Sequence, residues 1–393
     1  MATSRKPMRD FGLEVFFSRW EFKARHHMTA SDLESMKLSE LLAMASEEDR
    51  EGFEQLWLGY TETWGAPDLR FEIAKTYEAL EEENILCLAG AGEGIYVVSK
   101  CLLTSDDHVI VPTPNYQSAE TVPLSVCDVT GVPLLIREGG TDHPEWRLDL
   151  DAIKAAIRPN TKLISLNFPH NPTGLLLSTN ELKELIELCR EHGIYIFSDE
   201  VYRGVELDIE QQMPQIADVY EKGISLNVLS KAYGLPGLRI GWIASQDKAV
   251  LQKVERYKHF LSICNSAPSE VLGIIALKNR DRILARNRSL MQENVLQLEQ
   301  LLEDFTGLVE WQRPQGGCVA FPRFIGPGGV EAFCKSLLED SGVLLLPASI
   351  YASELSEVPQ DRFRIGFGRD SVFKQGLAAM REHLEVYFPE YSK

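Results

Sequence analysis

The sequence predicts an α/β fold: a large unit built on a mostly parallel seven-stranded sheet between helices, followed by a smaller α+β unit. Two observations predict it. From about residue 85, short apolar runs alternate with turns and helical periods, and strands that are apolar along their length are buried on both faces, as in parallel sheets. Past residue 280 the pattern changes to one long amphipathic period and then short strands.

In chain order, residues 1 to about 45 read as helical with polar breaks. The runs ILCLAG (85–90), HVIVP (108–112), VPLLI (132–136), KLISLNF (162–168), GIYIFSDE (193–200), ISLNVLS (224–230) and RIGWIAS (239–245) read as strands. Between two of them, TNELKELIELCREHG (179–193) has a Thr or Asn cap, Leu182 and Leu185 on one face, and a closing Gly193. Residues 281–305 predict one long helix, VAFPRF, GVLLLP and RFRIGF predict short strands, and a last helix ends near residue 387. The expected division is an N-terminal segment 1–45 packed with the small domain and the site entrance, a large domain 46–280 and a small domain 281–393.

Composition narrows the function. Lys plus Arg is 40 against 58 Asp plus Glu, a net charge of -18 that repels nucleic-acid phosphates and anionic membrane surfaces. The seven cysteines form no C-x-x-C pair, so neither a disulfide framework nor a metal site is expected, and reduced cytoplasmic thiols fit best. Glu14 interrupts the apolar stretch FGLEVFF, which argues against a signal peptide, and no apolar run approaches the ~20 residues of a membrane helix.

The stretch LAGAGEGIYVV (88–98) follows a strand and opens a helix, so its backbone N–H groups can cradle a phosphate. A dinucleotide fingerprint fails, because the third glycine position is Ile95 counted from Gly90 and Val97 counted from Gly92. A Walker loop is absent. A small phosphate ester fits, as does a glycine turn that merely packs tightly.

FPHNPTG (168–174) and SDEVY (198–202) also follow predicted strands, where open α/β sheets gather ligand-binding groups. Asp199, at the end of an apolar run, is either a cap for the next element or a buried carboxylate in need of a partner. SKAYGLPGLRIGW (230–242) then brings Lys231 and Arg239 to a glycine-built turn. A lysine that forms a Schiff base must be presented from a fixed backbone, and an arginine grips phosphate bidentately. An exposed loop lysine is the bland alternative, and it predicts none of these companions. Phosphate cradle, buried acid and Schiff-base lysine together describe pyridoxal phosphate.

With GYTETWGAPDLR (59–70), PTPNY (112–116) and RIGFG (364–368), these motifs resemble the class I/II aminotransferases, the fold-type-I pyridoxal-phosphate enzymes, in order and spacing. The resemblance implies that Lys231 forms the internal aldimine and that Asp199 keeps the pyridine nitrogen protonated. It implies that Tyr202 and Asn171 bond the ring's phenolic oxygen, and that Tyr116 stacks on its face. Ala91, Gly92 and Glu93, with Arg239, hold the phosphate. Tyr60 reaches the phosphate from a neighbouring subunit, which implies a homodimer with shared sites, and Arg364 binds the substrate α-carboxylate. Val228 stands where the family usually has a serine three positions before the lysine, so one phosphate bond is missing or replaced; adjacent Ser230 reads as structural.

The reaction implied is transamination, from an L-amino acid to a 2-oxo acid through Lys231 and pyridoxamine phosphate. The alternative is a non-transaminating oxidase, cyclase or lyase of the same fold, and a ligand-sensing regulator is the third reading. The N-terminal stretch from Phe11 to Met36 is similar to that of a subgroup acting on arginine-like substrates. It nominates Glu14 and Asp32 as partners of a cationic side chain and His27 as a residue ordering water or oxygen, against the plainer reading of surface acids and a solvated histidine pair.

Overall fold

The computed structural model describes residues 7–137 and 145–392. Seven strands form the main sheet: β1 (Ile85–Leu88), β2 (His108–Thr113), β3 (Asp128–Pro133), β4 (Thr161–Asn167), β5 (Tyr195–Asp199), β6 (Gly223–Val228) and β7 (Gly241–Ser245). Their spatial order is β1-β7-β6-β5-β4-β2-β3. All pairings are parallel except those of β7, which runs antiparallel to β1 and β6.

Alternation along these strands sends side chains to two separate cores. Val109, Val111, Leu163 and Phe197 pack on one face with Ile95, Val97 and Val98. Ile110, Ile164 and Ile196 pack on the other with Leu182, Leu185 and Ile186. Both faces are therefore covered, which is why these strands are apolar throughout.

The edge strand departs from the sequence reading. β3 spans 128–133 rather than 132–136, while Leu135–Arg137 leaves the sheet and pairs with Glu145–Arg147 in a hairpin. An edge strand is half solvated, so DVTGVP lacks the apolar run that marks its buried neighbours.

Among the helices, α1 covers Gly12–Trp20, α2 Ala91–Leu102 and α3 Thr179–His192. The cap of α3 is Ser178, not Thr179 or Asn180. Ser178 accepts from the Glu181 amide at 3.2 Å while Glu181 reaches back to the Ser178 amide at 2.8 Å, and Gly193 closes the helix in the left-handed region. Helix α4 spans Arg280–Asp304 with Ile283, Met291, Val295, Leu298 and Leu302 buried at helical spacing, and α5 spans Asp370–Tyr387. These helices accompany a small antiparallel sheet of Val319–Ala320, Phe363–Gly366 and Leu346–Pro347.

The N-terminal segment is less helical than its sequence suggests. After α1 it runs as a strap whose His26–His27 pairs with Val343–Leu344. Residues 28–34 then lie along the Phe363–Gly366 strand: Gly366 donates to the Met28 carbonyl at 2.8 Å, and Glu34 donates to Gly368 at 2.8 Å. A helix there would forfeit these bonds.

Candidate active site

The C-terminal ends of β4, β5 and β6, the α2 N-terminus and the strap enclose a cavity of about 340 Å³. That volume is typical of small-molecule sites, ~300–1,000 Å³. Ala91, Gly92, Tyr116, Asn171, Asp199, Tyr202, Lys231 and Arg239 all line it. Residues more than a hundred positions apart are thus gathered by parallel strands that end on one side of the sheet.

At one end, Gly90 has φ +97°, and a Cβ there would meet Arg239 Nη2 at 2.6 Å. Only glycine lets the guanidinium lie against the loop. Arg239 Nη1 donates to the Pro236 carbonyl at 3.1 Å and Ser230 Oγ at 3.4 Å. The α2 N-terminus adds the free amides of its first turn. Ala91 and Gly92 therefore face the cavity, whereas the Glu93 side chain turns back to accept from Ala89 at 2.5 Å and Ser262 at 3.3 Å. Val228 lines the cavity without a hydroxyl, and Ser230 contacts Arg239.

In the centre, Asp199 ends β5. Its Oδ1 accepts the Val201 amide at 3.3 Å, and burial pushes its pKa up to about 7 against the pull of that amide and of Lys231. A buried carboxylate so short of positive partners calls for a cation or a charged donor from the ligand. Lys231, one turn beyond β6, is depressed by burial, and its Nζ donates to Ser31 Oγ at 3.0 Å. The Tyr202 hydroxyl donates to the Ser31 carbonyl at 2.9 Å, and burial raises its pKa. Asn167, opposite Asp199 in register, donates to the Asp199 carbonyl at 2.9 Å and accepts the Asn171 amide at 2.9 Å, tying NPTG to the sheet.

Asn171 Oδ1 accepts from Tyr351 at 2.9 Å and from Arg364 at 3.2 Å, so its amide hydrogens are left for a ligand. Arg364 is fully buried, donating to Tyr351 at 2.7 Å and to the Thr29 carbonyl at 2.7 Å, while its Nε has no partner among the described residues. It does not itself line the cavity; Phe17, which does, lies 5.9 Å from its guanidinium.

The remaining candidates separate. Glu14 lines the cavity and accepts from Tyr116 at 3.3 Å. Asp32 is buried and bound through both oxygens to Arg369, at 3.1 and 2.8 Å, so it is neither a surface acid nor an uncommitted one. His27 is buried beside Phe17 and lowered to about 4, chiefly by burial and then by Arg369 and Arg364, which keeps its ring neutral near pH 7. Tyr60 is 83% exposed and is not brought to this cavity. Sequence reading missed Ser31, Tyr351, Arg369, Asn167 and Glu21. Glu21 lines the cavity, and its pKa is raised by burial and by Glu14 and Asp32. No motif marks them; Ser31 and Glu21 lie on the strap side of α1, and Asn167 and Arg369 adjoin FPHNPTG and RIGFG, while Tyr351 carries no local signal.

Residues 28–379 match the family described as aminotransferase class I and II. The chain belongs to this family. The aminotransferases of class I and II use pyridoxal phosphate, and the gathered residues fit it: a glycine-lined amide cradle with an arginine, an acid short of cations and a half-buried lysine. Among solved structures, a PLP-dependent aminotransferase from Streptococcus suis 89-1591 is 31% identical, covering 99% of this chain and 100% of that one with a TM-score of 0.89. Capreomycidine synthase of Streptomyces vinaceus is 27% identical over 383 residues, 95% of this chain and 94% of its own. Arginine–pyruvate transaminase AruH of Pseudomonas aeruginosa is 30% identical over 310 residues, 74% of each. The central mostly parallel seven-stranded sheet is the one the resemblance implied.

Proposed function

We propose that this aminotransferase-family enzyme moves the amino group of an L-amino acid to a 2-oxo acid, with Lys231 as its Schiff-base lysine. The observation that carries this is the meeting of Lys231 and the cation-poor Asp199 in one cavity with a phosphate cradle. Bound there, pyridoxal phosphate supplies an electron sink for charge left at the amino acid's α-carbon. Asp199 would face the ring nitrogen and keep its proton in place. The ε-amine of Lys231, whose proton affinity burial lowers, would take the proton from the α-carbon and pass it to the cofactor's former aldehyde carbon. Tyr202 and Asn171 would donate towards the ring's hydroxyl, and Tyr116 would cover one face. The amides at Ala91, Gly92 and Glu93 and the guanidinium of Arg239 would hold the phosphate. Arg364 receives the α-carboxylate, with Phe17 beside it.

A basic substrate is the favoured class. Among the described residues Glu14 and Glu21 face the cavity without a salt-bridge partner, Asp32 adds charge shared with Arg369, and His27 stays neutral beside them. Relatives named for capreomycidine and for arginine support the same class. The synthase name also keeps open the second reading, a pyridoxal-phosphate oxidase, cyclase or lyase acting on an arginine-like amino acid. Adding an amino acid and then a 2-oxo acid to the holoenzyme separates them. Transamination bleaches the cofactor absorbance with the first and restores it with the second, whereas turnover of the amino acid alone, releasing ammonia or peroxide, supports the second reading and defeats the first.

We further propose a homodimer with shared sites. Trp57, Leu58, Tyr60 and Phe260 are 79–87% exposed, and their segments adjoin, since Thr61 donates to the Asn265 carbonyl at 2.9 Å. An apolar patch of this kind marks an interface, and a second copy brings Tyr60 to a site it does not reach in its own chain. A cytoplasmic setting suits seven cysteines that are all free. Among the described residues no helix is long and apolar enough to cross a membrane. The divisions proposed at 45/46 and 280/281 set apart the strap-bearing segment, the main sheet and the C-terminal α+β unit.

A further inference from the structure

We propose that Ser31 is a positioning residue for Lys231, its hydroxyl orienting the ε-amine while its carbonyl fixes the Tyr202 phenol alongside. This rests on the reading of Lys231 as the Schiff-base lysine. The Nζ–Oγ contact is 3.0 Å and the Tyr202 contact 2.9 Å. Among the described residues neither Lys231 Nζ nor Ser31 Oγ has another hydrogen-bond partner.

Ser31 is held at a fixed depth. A Cβ on Gly366 would meet the Ala30 carbonyl at 2.0 Å, and one on Gly368 would meet the Asp32 carbonyl at 2.4 Å, so two glycines let the strap press directly onto the backbone of residues 366–368. On either side of Ser31 the strap is pinned, by the Gly366 to Met28 bond at 2.8 Å and by the Asp32–Arg369 pair. Backbone placed with this closeness is the support that a positioning hydroxyl requires.

A lysine amine on a four-carbon stem has many rotamers, and a proton carrier needs one of them. Accepting one N–H at Oγ directs the remaining hydrogen and the lone pair of the neutral amine into the cavity. Ser31 makes and breaks no covalent bond. The charged groups facing Nζ are Asp32, Asp199 and Glu21, opposed by Arg364, with the Cys318 thiol also near. Because an ammonium donates more strongly than an amine, the hydroxyl supports the protonated form against burial and Arg364. Its removal therefore lowers the lysine's affinity for protons.

The test uses the apoprotein, where the lysine is read without catalysis. Lys231 is acetylated with trace acetic anhydride from neutral to alkaline pH, and the modified peptide is quantified by mass spectrometry. Ser31→Ala should raise the labelling rate near neutral pH about three- to tenfold, the consequence of losing a charge-assisted bond. Ser31→Thr, which keeps a hydroxyl, should label as wild type. In the holoenzyme Ser31→Ala should lower kcat about tenfold while KM moves less than about threefold. Equal labelling of wild type and Ser31→Ala, in a protein whose Lys231 is still tagged by borohydride reduction with bound cofactor, overturns the role of Ser31 alone. Failure of that tagging in wild type overturns the reading of Lys231 itself.

Discussion

Arg364 donates to the hydroxyl of Tyr351 at 2.7 Å, and both groups then converge on Asn171 Oδ1. Two donors on one acceptor orient the Asn171 amide, so its free hydrogens face the cavity. The guanidinium, holding the Thr29 carbonyl as well, is fixed before any substrate arrives. A preset fork of this kind binds a carboxylate without an ordering cost.

Arg364→Lys removes the fork and keeps the charge. The KM for amino acid should rise about a hundredfold, and cofactor affinity, read by absorbance titration, should change less than about threefold. Tyr351→Phe should cost about 1 kcal/mol in kcat/KM, the scale of one lost hydrogen bond. Equal loss of cofactor and substrate affinity in Arg364→Lys would remove its assignment to the α-carboxylate.

Asp199 sets a pH dependence on the apoprotein. Its pKa is about 7 when folded against the ordinary aspartate value of 3.8, so stability from this side chain is fully present below about pH 4 and is lost as pH rises through about 7. Glu200 and Glu270, also raised to about 7, act with the same sign, so the comparison must be with Asp199→Asn. Thermal unfolding of that apo variant should show less loss between those pH values, by on the order of 2–4 kcal/mol. Identical pH profiles would show that Asp199 is not the strained carboxyl. In the holoenzyme, Asp199→Asn should lower kcat at least ~10³-fold.

On the proposed basic-substrate reading, the acids at the cavity divide into a substrate pair, Glu14 and Glu21, and a structural one, Asp32. Glu14→Gln and Glu21→Gln should each raise KM for arginine about tenfold and leave unfolding unchanged. Asp32→Asn should instead lower stability by ~1–3 kcal/mol, because it strands the Arg369 guanidinium that it now binds twice. If arginine kinetics are unaltered by both Glu variants, the basic-substrate class fails.

The proposed dimer places its interface at the exposed aromatic patch. Light scattering should give twice the chain mass at micromolar concentration, and Trp57→Asp with Phe260→Asp should yield monomers of low activity. A wild-type monomer with full turnover would exclude shared sites.

The sequence made the main sheet legible because its strands are buried on both faces, and made the cavity legible because motif residues fall at strand ends. Edge strand β3 escaped because solvent on one side permits Asp128, Thr130 and Gly131. The strap's contribution was hidden for a different reason. Asp32 meets Arg369 across 337 positions and Ser31 meets Lys231 across 200, and no local pattern encodes a contact made only when two distant segments pack. Glu14, Asp32 and His27 were nominated together, yet burial and pairing give each a distinct electrostatic state.

The central claim is that the ε-nitrogen of Lys231 is the covalent attachment point of pyridoxal phosphate. Borohydride reduction of the holoenzyme, followed by proteolysis and mass spectrometry, tests it most directly. The predicted result is a phosphopyridoxyl group on the peptide carrying Lys231, absent from Lys231→Ala. A tag on another lysine, or an untagged protein that still turns over an amino acid, would contradict it.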